Sequence, residues 1–237
     1  MNLYFSGLNS TTESPMLTAA GVTHLLVDWK DLDKIPPGFA GRLALDSGAY
    51  RAHKQGESIT LAEYDSIITR NSHRLDWAAG RDVFAEPVFS FKQQLHDEAN
   101  SLIPKVPVWQ WGGSTGDLRY WLNRSPIVAI GGLVPLMRAK NESALRGLQS
   151  LCEKYPNRFH LFGLNWLKAM NELKFSARSC DTSKWLDGAR YGHLIFIHER
   201  TGKLHQAPAK ALGFGHYDRT TRCVESARAM ELYLNAA

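Results

Sequence analysis

Ile127-Val128-Ala129-Ile130-Gly131-Gly132 is an apolar run closed by two glycines. It is followed by a helical pattern over 142–155 and a second short run, His160-Leu161-Phe162, that ends at Gly163. A continuous apolar run of this length fits a strand buried on both faces, and such strands belong to parallel sheets whose crossovers are helices. The stretch therefore reads as one strand–turn–helix–strand unit. The glycine pair supplies a tight turn that a side chain at Cβ would hinder.

The same unit repeats in both directions. Strand runs fall at 3–6, 25–28, 43–46, 76–79, 106–109, 127–130, 160–162 and 177–180, with helical patterns at 15–20, 61–71, 91–102, 117–123, 142–155 and 166–173. Eight strands, each followed by helix or loop, in 237 residues match a (β/α)8 TIM-type barrel, for which ~250 residues is typical. A doubly wound sheet is the alternative, but no G-x-G-x-x-G follows the first strand. The second crossover, 30–42, contains Pro36, Pro37 and two glycines and reads as loop. Past the eighth strand lie a hairpin, 194–197 with 204–206 around Thr201-Gly202, and a helix over 219–234. Cys223, Ala227, Met230 and Leu234 share one face of that helix. Residues 1–185 thus form the barrel that carries the site, and 186–237 a hairpin and helix packed on the same domain.

Hydrophobic types at 44% and charged types at 22% exclude disordered, collagenous and membrane-spanning classes. Cys152, Cys180 and Cys223 are too few and too scattered for a disulfide framework, and no signal-like segment opens the chain, so a cytoplasmic protein is expected. The net charge of +5 is localised: the segment 160–222 holds ten Lys and Arg against five acids, and the rest of the chain balances. A polyanionic partner and a merely solvated basic face both fit that excess.

In a parallel barrel the active face lies at the C-terminal ends of the strands. Asp46-Ser47-Gly48, Asp82, Gly112-Gly113, Gly131-Gly132-Leu133, Gly163 and Asp181 all fall there. Singly, each fits a cap or tight turn. Together they place three carboxylates, Asp46, Asp82 and Asp181, around one mouth.

Leu45-Asp46-Ser47-Gly48-Ala49-Tyr50, Gly112-Gly113-Ser114-Thr115-Gly116-Asp117-Leu118-Arg119, Ala129-Ile130-Gly131-Gly132-Leu133 and His160-Leu161-Phe162-Gly163 resemble, in order, the motifs of the tRNA-guanine transglycosylase superfamily. The resemblance runs from about Leu43 to Trp185. Asp76-Trp77-Ala78-Ala79, Asp82, Glu86-Pro87 and Cys180-Asp181-Thr182-Ser183-Lys184-Trp185 look like its DNA-acting branch, the deazapurine DNA modification (DpdA-type) transglycosylases. The resemblance implies a DNA-guanine transglycosylase, a pentosyltransferase that exchanges guanine in DNA for a 7-deazaguanine such as preQ0. Asp181 falls at the nucleophile and Asp46 at the acid/base carboxylate. Asp82, Ser47, Gly48, Gln110, Gly131, Gly132, Leu133 and Gly163 fall at the base-binding positions. Gln110 stands one residue earlier than in the tRNA enzymes, and one step along a strand turns a side chain to the other face unless the strand is irregular.

The implied partners are DNA and the free base, with a DNA-opening subunit compatible, in a bacterial cytoplasm and encoded by a phage or mobile element. No metal or cofactor is called for. The family's tRNA enzymes carry a Cys-rich zinc site that this tail lacks, although His193, His198, His205, His216 and Cys223 supply ligand types. Lys174, Arg178, Lys184, Arg190 and Lys203 are expected to form the nucleic-acid track. Trp111, Trp166, Trp185 and Tyr50 are candidates to sandwich a flipped base, although large apolar rings serve first as core or rim packing. Three alternatives stay open: the same site acting on tRNA, a non-catalytic DNA-binding barrel, and an unrelated barrel enzyme on a phosphate-bearing metabolite.

Overall fold

Eight parallel strands form one sheet in the order β4-β3-β2-β1-β8-β7-β6-β5. In the computed structural model, which describes residues 1–8, 12–35 and 38–235, these are β1 (Asn2–Phe5), β2 (His24–Asp28), β3 (Arg42–Asp46), β4 (Leu75–Ala78), β5 (Val108–Gln110), β6 (Val128–Gly131), β7 (Phe159–Leu161) and β8 (Ser179–Thr182). The order is cyclic in sequence. The two ends of the sheet meet at a single parallel bridge between Ala79 and Val106. The result is a curled eight-stranded parallel sheet compatible with a TIM-like fold.

Residues in register on parallel strands share a face, and faces alternate along each strand. Asn2–Phe5 pairs with Ser179–Thr182, so Tyr4 sits beside Asp181. On the neighbouring pair Leu26 sits beside Ala44, and Asp28 beside Asp46. Tyr4, Leu26 and Ala44 pack together with Trp77 and Phe162 inside the curl. The opposite phase, Leu3, Phe5, Leu25, Val27, Val128, Ile130, Phe159, Leu161 and Cys180, joins the large core under the helices.

That outer layer is α1 (Glu13–Ala19), α2 (Ala49–Gln55), α3 (Leu61–Asn71), α4 (Pro87–Asn100), α5 (Thr115–Arg124), α6 (Val134–Arg138), α7 (Glu142–Lys154) and α8 (Leu167–Leu173). The α3 helix starts at a full capping box, Thr60 with Glu63. In α7, Asn141 accepts the Ala144 N–H while Ala144, Leu145, Leu148 and Cys152 turn to the core. At the open seam beside β5 the backbone of Val108 has no strand partner on one side. The Gln94 side chain of α4 takes that place: its Nε2 donates to Val108 O at 2.7 Å, and its Oε1 accepts from Val108 N at 2.7 Å.

The tail adds α9 (Asp187–Tyr191), the antiparallel hairpin β9 (His193–His198) with β10 (Lys203–Pro208), and α10 (Arg219–Leu234). Cys223, Ala227, Met230 and Leu234 are all buried. Asn235 accepts the Leu3 N–H at 2.6 Å, which anchors the end of α10 to the start of β1.

Several boundaries differ from those predicted. The crossover over 30–42 is not loop throughout, because a 3-10 helix spans Trp29–Lys34, capped by Asp28. Pro36 and Pro37 lie outside the described residues. The eighth strand starts two residues late, because Ser176 N and Ala177 N still bond to Leu173 O at the end of α8. Asp181 therefore lies within β8 rather than after it. The α2 and α6 helices were not expected.

Candidate active site at the C-terminal rim of the sheet

The inward phase puts Ser6, Asp28, Asp46, Gly131, Phe162 and Asp181 at one end of the curl, where they line a cleft of about 430 Å³. Asp181 is 5% exposed. Its Oδ2 accepts from Ser6 Oγ at 2.8 Å and its Oδ1 from Gly163 N at 2.7 Å, two donated hydrogen bonds that suit an anion. Gly163 holds φ +65° to aim that N–H, and a Cβ there would fall 2.4 Å from Val134 Cγ2.

Across the cleft Asp82, in the loop after β4, accepts from Ser47 Oγ at 2.7 Å and from Gln110 Nε2 at 2.5 Å. Burial pushes its carboxyl up to about 6 despite those two hydrogen bonds. Gln110 therefore faces the site with no irregularity in β5, because it pairs in register with Gly131 and shares its inward phase. A Cβ on Gly131 would stand 2.4 Å from Gln110 Nε2, so glycine makes the room this side chain occupies. Ala85, at φ +58°, turns its N–H onto Gln110 Oε1 at 3.1 Å. A non-glycine residue in that region carries a steric cost that places strain beside the site.

Asp46 sits among like charges. Burial first, then the charges of Asp82, Asp28 and Asp181, hold it well above the usual carboxylate range, against a favourable backbone contact from Gly48. Its register neighbour Asp28 is instead matched by Arg51, whose Nε lies 2.7 Å from Asp28 Oδ2 and whose Nη2 lies 2.8 Å from Asp31 Oδ2. The rim thus holds carboxyls in contrasting surroundings. Asp181 accepts two donated hydrogen bonds, and Asp46 is disfavoured as an anion.

Not every expected site residue is there. Leu133 is fully buried in the outer core, whereas Gly48 keeps its backbone hydrogen bond to Asp46 and packs against Trp29. Trp185 is 0% exposed and donates to Ser6 O at 2.9 Å, so it is a scaffold residue. Trp111 packs against the outer core beside Trp109 and Gly147, and Trp166 lies under Lys168. Tyr50 does line the cleft, edge-on to Phe84 at 5.1 Å.

The expected basic track is dispersed as well. Arg190 lines the cleft, whereas Lys184 pairs with Asp187 at 2.5 Å and Lys203 stands exposed on the hairpin. Lys174 and Arg178 belong to the opposite end of the sheet: Lys174 O accepts from the chain's N-terminus, and Arg178 precedes β8. Besides Arg51, which pairs with Asp28 and Asp31, the cations that line the cleft with Arg190 are Lys54 and Arg138. Arg190, Lys54 and Arg138 form no ion pair among the described residues.

Ser6, Phe84, Arg138 and Asn165 also reach the cleft unannounced by any motif. Only Ser6 carried a usable signal, two positions beyond Tyr4 on the first strand. Among the described residues no three His, Cys, Asp or Glu side chains are placed to share a metal ion, and no helix is long and apolar enough to cross a membrane. Compared with known proteins, the chain matches no family model and no curated protein sequence.

Proposed function

We propose that the chain is a guanine transglycosylase that acts on DNA, exchanging guanine for a free 7-deazaguanine base of the preQ0 kind, and that its curled sheet is a (β/α)8 barrel of the TIM type. The observation that carries this reading is the contrast between Asp181 and Asp46 across one cleft. Base exchange needs a nucleophile beneath the sugar and an acid beside the leaving base, and it must keep the sugar's configuration.

An Asp181 oxygen attacks C1′ while the C1′–N9 bond breaks, and its electron pair goes to the purine. The proton held by Asp46 neutralises the departing guanine. Free guanine leaves and the deazaguanine enters. Asp46 takes the proton from the incoming N9–H as that nitrogen bonds to C1′, and the C1′–O bond breaks to return the Asp181 carboxylate. Two inversions give net retention. The reaction is redox-neutral and consumes no water.

Asp82, Ser47 and Gln110 present a carboxylate and an amide side by side, the donor–acceptor pairing that reads a guanine edge. The base must be flipped out or met in a single strand, since C1′ is shielded within a stack. Tyr50 and Phe84 line the cleft where an extruded base stacks.

The test is incubation with radiolabelled guanine and either DNA or bulk tRNA. Label is expected in DNA. Label in tRNA alone moves the substrate to tRNA, and label in neither removes the transglycosylase reading.

A further inference from the structure

Directly below Asp181 the curl is filled by rings. Tyr4, Trp77 and Phe162 surround the imidazole of His160 at centroid distances of 5.8, 4.7 and 4.8 Å, all steeply inclined to it. His160 is 0% exposed. Its Nδ1 lies 2.9 Å from Ser179 Oγ, and its Nε2 has no hydrogen-bond partner. Asp181 Oδ1 lies 3.7 Å from that nitrogen.

A histidine that served only as filler here would be a poor choice. An unpartnered buried polar atom is costly, and the aromatic layer around it shows that an apolar ring fits the same space. The register explains the alignment. His160 is in register with Ser179, and Ser179 and Asp181 alternate onto the same face of β8, so one imidazole spans two successive inward positions of its neighbour. When the Ser179 hydroxyl donates to Nδ1, the ring proton resides on Nε2 and faces the carboxylate.

We propose that His160 is a positioning residue for Asp181, its Nε2–H serving as a third donor beside Ser6 and Gly163, with Ser179 fixing the tautomer from behind. The pairing rests on reading Asp181 as the nucleophile. At 3.7 Å the contact is longer than a hydrogen bond, and closing it requires only a small movement as substrate enters, as catalytic contacts commonly do. Its work is to hold one carboxylate oxygen while the other attacks C1′, so its loss slows formation of the sugar–enzyme ester without weakening binding of the free base at Asp82.

Two measurements on the full chain test this. The first needs no activity: ¹⁵N-histidine NMR, with His160 assigned by its disappearance in His160→Gln. Expected is a proton on Nε2, none on Nδ1, and a His160 resonance that moves in Asp181→Ala. A proton on Nδ1, or a resonance indifferent to Asp181→Ala, overturns the pairing.

The second compares His160→Met, of similar bulk without a donor, with His160→Gln, whose amide nitrogen reaches the Nε2 position. Single-turnover ester formation is expected to fall roughly 10–100-fold in His160→Met, the range that a hydrogen bond to a charged group supports. His160→Gln should recover most of that loss, with KM for free base unchanged in both. Equal rates in wild type and His160→Met overturn the proposal, and if His160→Met does not fold the tautomer decides. Absence of ester in the wild type on DNA and tRNA alike refutes the transglycosylase reading instead, and the NMR result still judges the His160–Asp181 contact.

Discussion

Asp82 is a cleft carboxyl whose charge changes near physiological pH, since burial lifts it to about 6. Under the proposed function it accepts, as an anion, from the N–H donors of a purine edge, and as an acid it gives up one of those acceptor sites to its own proton. Affinity for free guanine or deazaguanine is therefore expected to fall as pH drops through about 6, with an acid limb that Asp82→Asn removes. Binding isotherms from pH 5 to 8 check this, and a flat profile would exclude the role. The stability sign runs the opposite way. A carboxyl raised above its ordinary value binds its proton more tightly when folded, so its contribution favours the fold as pH falls from about 6 toward 4 and is lost as pH rises. Motifs made Asp46, Asp82 and Asp181 legible in the sequence because polar residues at strand ends stand out against apolar runs. His160 was not legible as a site residue, since only the three-dimensional register reveals what its Nε2 faces.

Strand and helix periodicity carried most of the elements, and α3 (Leu61–Asn71) and α10 (Arg219–Leu234) match their predicted limits. Helix α2, with 7 residues against the ~11–12 of a typical helix, has none of them buried, so it leaves no apolar stripe to read. Gln94 was equally silent. In the sequence it is one polar residue of an amphipathic helix, while in the fold it stands in for a strand at the β4–β5 seam. Replacing it with Leu orphans Val108 N and O, each worth about 1–3 kcal/mol when buried and unpaired. Gln94→Leu is expected to lower stability in urea denaturation by at least ~1 kcal/mol with an unchanged m-value. A stability equal to wild type would mean that the seam closes some other way.

Across the whole molecule, linear charge density proved a poor guide to surface charge. The segment 160–222 holds the excess, yet the path from α8 into β8 carries Lys174 and Arg178 to the far end of the sheet, while Lys54 and Arg138 arrive at the mouth from other segments. Each phosphate contact adds about 0.9 to the log–log salt slope on duplex and ~0.7 on single strands. Arg138→Ala with Arg190→Ala should flatten that slope for DNA, while Arg178→Ala leaves it unchanged. The reverse pattern would put the track at the opposite end. Under the proposed function the roles around the cleft converge on one bond, that between Asp181 and C1′. The direct measurement is intact-protein mass spectrometry after denaturing quench of the chain with a guanine-containing oligodeoxynucleotide, without incoming base. A covalent adduct is expected, mapping to the peptide that holds Asp181, absent in Asp181→Asn and released by added deazaguanine. An adduct of undiminished yield in Asp181→Asn, or one on another residue, would contradict it.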